Sequence, residues 1–88
     1  NMAIENEVYA DGVYQIHMLE QTIRLDFMRL QPSPENQTPV PKPFERVILS
    51  PQGFLRTYEA MGQIVHKLEE LGLIRRNPNP PTNPPAAQ

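Results

Sequence analysis

Eighty-eight residues hold one small domain at most, and eleven of them are proline, a density more than twice ordinary usage of about 5%. Eight basic side chains against ten acidic ones leave a formal net charge of −2, which argues against tight binding to duplex nucleic acid, where affinity rises with the number of cations engaged. The chain has no cysteine, hence no disulfide framework, thiolate metal site or thiol nucleophile, and its size excludes a large catalytic domain. No apolar run approaches the roughly 18 residues that span a membrane. Asn1 before Met2 reads as an expression-tag scar, the N-terminal stretch has no secretory pattern, and a cytoplasmic location is expected.

Tyr14, Ile16 and Met18 alternate with Gln15 and His17, the period-two pattern of a half-buried strand. Asp11-Gly12 marks a bulge or turn, so this first strand is expected to begin near Val13. A polar hairpin loop at Glu20-Gln21 leads into Thr22 to Leu30, where Ile23, Leu25 and Phe27 point one way and Thr22, Arg24 and Asp26 the other. Proline fits neither helix interiors nor central strands, so residues 31–43, with five prolines, are read as a long loop. A third strand is expected over Phe44 to Leu49.

Ser50 is placed to cap a helix and Pro51 suits its first position. Phe54, Tyr58, Met61, Val65 and Leu68 recur at spacings of four and three, which puts them on one face, with Ile64 and Leu71 widening the stripe. This stripe serves either a core or an oligomer contact. Gly72 is the expected left-handed cap, with Leu73 returning toward Leu68. Residues 75–88 form a proline-rich tail, expected to be extended or disordered; Arg75, Pro78 and Pro81 have the spacing of a polyproline II ligand, although a plain spacer is the commoner meaning of such a pattern.

The expected architecture is α+β: a three-stranded antiparallel meander followed by one long amphipathic helix, β-β-β-α, forming a single domain over residues 7–74. About 65 folded residues bury too little to be comfortable alone, and edge strands leave backbone groups unpaired. A homo-oligomer, with a dimer favoured, is therefore expected.

Tyr9 to Pro32 and Arg46 to Gly72 together resemble a prokaryotic family catalogued as domain of unknown function 3467. The resemblance rests on Tyr9 opening the first strand, Leu25-Asp26-Phe27 in the second and Leu49-Ser50-Pro51-Gln52 entering the helix. It implies the β-β-β-α layout and brings no activity. The chain departs from the family's alanine-rich helix start, having Gly53-Phe54, and its proline linker is long. The layout is also distantly similar to that of SecB-like export chaperones, a fold-level analogy.

With Tyr14, Ile16, Ile23, Leu25, Phe27, Val47 and Leu49 assigned to the face toward the helix, the opposite sheet face carries Gln15, His17, Arg24, Asp26 and Arg46. This second set is a candidate ligand or partner face, with arginines as anchors; the plainer alternative is a solvated surface stitched by cross-strand ion pairs. His66 with Glu69 and Glu70 has helical ligand spacing, but no further histidine or cysteine stands near to complete a metal site. Ser33 lies among the loop prolines and Ser50 is committed to capping, so no catalytic set, cofactor or metal is expected. The expected function is a non-enzymatic protein-interaction module of chaperone-like character. The alternative is a single-stranded nucleic-acid binder using Tyr9, Tyr14, Phe27 and Phe44 with Arg24, Arg29, Lys42 and Arg46.

Overall fold

The computed structural model describes residues 3–35 and 38–76. Its elements follow the order β1 (Gly12–Leu19), β2 (Thr22–Gln31), β3 (Val40–Leu49) and α1 (Pro51–Glu70), so the β-β-β-α meander is the observed fold. The strands form one antiparallel sheet in the order β1-β2-β3. The chain divides into two compact units, Asn1–Leu55, which holds the sheet and the first helical turn, and Arg56–Gln88, which holds the rest of α1.

In the sheet, β2 is the central strand, and its alternation places Ile23 and Leu25 on one face as the buried apolar residues, 8% and 4% exposed. Met18–Ile23–Leu49 and Ile16–Leu25–Val47 are cross-strand rows on that face. β1 and β2 are joined by a two-residue turn in which Glu20 and Gln21 both adopt positive φ, 51° and 63°. This geometry matches the right-handed twist of the strands it connects. Thr22 closes the turn by donating from Oγ1 to the Leu19 carbonyl at 2.6 Å.

Two corrections to the sequence expectations come from bulges and edges. Tyr14 does not continue the apolar row: Val13 pairs with Phe27 and Gln15 with Asp26, leaving Tyr14 as the surplus residue of a bulge. An extra residue reverses the side-chain alternation on one side of it, so Val13, and not Tyr14, stands opposite Phe27. The proline-rich loop is also shorter than 31–43, because β2 runs through Gln31 and β3 begins at Val40, with Pro41 and Pro43 inside the strand.

Those prolines are tolerated because β3 is an edge strand. Met28 accepts from the Asp11 amide at 2.9 Å and the Leu30 amide donates to Asp11 Oδ2 at 2.8 Å, so both residues turn their backbone groups toward the β1 side. Their partners on β3 are Pro43 and Pro41, whose nitrogens accordingly face outward, where no ladder bond is needed.

The helix follows its local signals. The Gly53 amide donates to Ser50 Oγ at 3.0 Å and the Phe54 amide to the Ser50 carbonyl at 2.8 Å, which satisfies N-terminal donors that have no partner within the helix. At the other end Gly72 takes φ 74°, its amide donates to the Glu69 carbonyl at 3.0 Å and the Leu73 amide to the Leu68 carbonyl at 2.9 Å. These are the paired bonds of a Schellman motif. The Leu73 side chain stays exposed. Of the polyproline-spaced set, Arg75 is exposed, while Pro78, Pro81 and the rest of the tail beyond Arg76 lie outside the described residues.

Candidate functional site

The five polar residues singled out from the sequence share one sheet face. Gln15, Asp26 and Arg46 form one cross-strand row, and His17, Arg24 and Ile48 form the next. Asp26 is the buried polar side chain of the described residues, 8% exposed. Burying a carboxylate is costly unless its oxygens are answered, and Arg46 answers both, Nε to Oδ1 at 2.6 Å and Nη2 to Oδ2 at 3.1 Å. That two-pronged hydrogen bond holds the Asp26 carboxyl below its ordinary range against the opposing effect of burial, with the charges of Arg46, His17 and Arg24 acting in the same direction. Arg46 is raised in turn by Asp26. Arg24 donates from Nε to Thr22 Oγ1 at 3.3 Å, and Gln15 Nε2 lies 3.1 Å from His17 Nδ1.

Beside this row, Tyr14 and Phe44 join Asp26, Pro43, Glu45 and Arg46 around a shallow open depression. Both aromatics are bulge residues: Phe44 is the surplus residue where Phe27 pairs with Glu45 and Met28 with Pro43. The Arg29 guanidinium carbon sits 3.7 Å from the Phe44 ring centroid, within cation–π range, and Arg29 Nε donates to the Tyr9 carbonyl at 3.0 Å. Asp11 accepts from Tyr9 Oη at 2.9 Å as well as from Leu30, lacing the segment ahead of β1 onto β2. The sequence reading singles out Tyr9, Arg29 and Phe44 for stacking but takes Asp11 only as a turn signal. An Asp directly before a Gly at the start of a strand carried the signal, since a short carboxylate accepts readily from nearby amides. Because Arg46 is charge-balanced by Asp26, the depression offers aromatic walls and a neutralised ion pair, chemistry suited to an apolar or aromatic side chain more than to an anion.

The helix carries the second surface. Phe54, Tyr58, Met61, Val65 and Leu68 lie on one side of α1, and none of its residues is buried. Phe54, Val65 and Leu68 are partly covered, whereas Tyr58, Met61 and Ile64 are 67%, 50% and 57% exposed. Thr57, Ala60, Met61, Ile64 and Val65 line an almost wholly apolar concavity on this helix. On the polar side, His66 Nε2 lies 3.1 Å from Glu70 Oε2, while Glu69 Oε2 lies 3.7 Å from Arg76 Nε. The two glutamates thus take separate partners. Among the described residues no cluster of three or more His, Asp or Glu is arranged to hold a metal ion, and no helix is long and apolar enough to cross a membrane.

Comparison with protein-family models, with curated proteins and with solved structures gives no match for this chain.

Proposed function

We propose that the chain is a non-enzymatic, oligomeric protein-interaction module of chaperone-like character, at work in the cytoplasm, whose apolar surfaces are covered by protein. The observation that carries this reading is the exposure of the large apolar side chains: the sheet buries Ile23 and Leu25 while Ile16, Met18, Leu19 and Ile48 stay open, and α1 exposes Tyr58, Met61 and Ile64. Large apolar side chains left this open in number on a small chain are a mark of surfaces that a protein partner covers. Resemblance to the domain of unknown function 3467 family supports the layout, and the distant similarity to SecB-like export chaperones supports the chaperone-like role.

Sedimentation of the full chain at tens of micromolar tests this proposal. A dimer or larger species is expected, and a monomer overturns it. The stacking of Arg29 on Phe44 is the feature that favours the single-stranded nucleic-acid alternative, since guanidinium and aromatic groups together form base-stacking platforms. Against it, Arg46 is neutralised by Asp26. An oligonucleotide shift assay at low salt separates the two: retardation at tens of micromolar protein transfers the assignment to nucleic acid.

A further inference from the structure

The geometry points to the outer edge of β1 as the surface through which a second copy of this chain is added, making a continuous six-stranded antiparallel sheet about a two-fold axis at Ile16. This inference rests on the oligomeric reading above and names the surface that reading leaves open.

The two edges of the sheet are not equivalent. On β3, Pro41 and Pro43 turn their nitrogens outward, so that stretch has no donors for an incoming strand, and Lys42, Glu45 and Arg46 add charge. Proline and charge are the usual means of closing an edge. The β1 edge has neither: Gly12–Leu19 reads GVYQIHML. Leu19 and Thr22 flank the two-residue turn and pair with each other, so Leu19, His17 and Gln15 direct their backbone groups to β2. By the alternation of an antiparallel ladder, Ile16 and Met18 direct theirs outward. On β1 these outward backbone groups sit on a strand that carries no proline and no acidic or basic residue other than His17.

The sequence of β1 is also complementary to itself. With Ile16 opposite Ile16 of the second copy, Gln15 of each chain lies opposite His17 of the other, and these two groups already meet at 3.1 Å within one chain. Bringing two neutral strands together incurs no like-charge repulsion. The apolar row Ile16–Leu25–Val47 then continues across the axis into its own copy. Since β3 is blocked along Pro41–Pro43 and charged at Lys42, Glu45 and Arg46, β1 is the favoured edge and pairing is isologous and stops at two chains, whereas two open edges would propagate.

Hydrogen exchange resolved by residue gives the direct test. The amides of Ile16 and Met18 are expected to be protected in the wild-type protein. The variant Ile16→Pro deletes an outward donor and no ladder bond; it is expected to raise the dimer dissociation constant at least tenfold with an unchanged far-UV spectrum. Should that variant not fold, Gln15→Glu with His17→Glu places like charges across the axis and is expected to dissociate the dimer, while Gln15→Glu with His17→Lys restores it. A wild-type oligomer whose size is untouched by these β1 changes but lost on Met61→Lys overturns this inference and leaves the oligomeric module standing. A monomeric wild type overturns both.

Discussion

Glu20 and Gln21 occupy left-handed backbone conformations that disfavour side chains beyond glycine by about 1–2 kcal/mol per residue. Their replacement by Asn-Gly, the pair suited to this turn, is expected to stabilise the chain by about 1 kcal/mol or more, read as a rise in Tm of about 4–8 °C per kcal/mol for a domain of this size. Asp26 sets a pH dependence. Its folded pKa is depressed, first by the Arg46 hydrogen bond. The pair's contribution is therefore fully present above the ordinary carboxyl value of about 4 and lost as pH falls through the lower folded value. Asp26→Asn is expected to lower Tm at neutral pH, with the gap to wild type closing below about pH 4; a gap independent of pH between 2 and 7 contradicts the assignment of that stability to the ion pair.

At the level of elements, β3 shows how an edge is made safe. Proline at positions 41 and 43 leaves the inward ladder intact and strips that stretch of the outer side of donors. Pro41→Val with Pro43→Val is expected to change thermal stability by less than about 1 kcal/mol while producing species larger than the wild type in light scattering, because a second open edge permits continued strand addition. Unchanged particle size would show that the prolines do not guard the edge. In α1, by contrast, the controlling contacts are local: Ser50 serves amides three and four residues on, and Gly72 with Leu73 returns bonds to Glu69 and Leu68.

For the whole molecule, the described residues bury few apolar side chains, and on the proposed oligomeric reading folding and association form one equilibrium. Binding to the folded state alone raises stability by mass action, so Tm is expected to climb as chain concentration rises from the low micromolar range to the hundreds; a Tm constant across that range places the chain's stability within a single copy. Helix limits, the capping serine, the glycine stop and the Glu20-Gln21 hairpin were legible in the amino-acid string, since each depends on residues within about five positions of one another. The sharing of one face by Gln15, His17, Arg24, Asp26 and Arg46 followed from simple alternation within each strand. The bulges at Tyr14 and Phe44, the bidentate grip of Arg46 on Asp26, and the extension of β3 through Pro41 and Pro43 were decided only by tertiary structure. Whether a residue is surplus in a ladder, or a proline nitrogen faces a neighbour or solvent, depends on which strand lies beside it and in which register, and those partners stand roughly ten to twenty residues away along the chain.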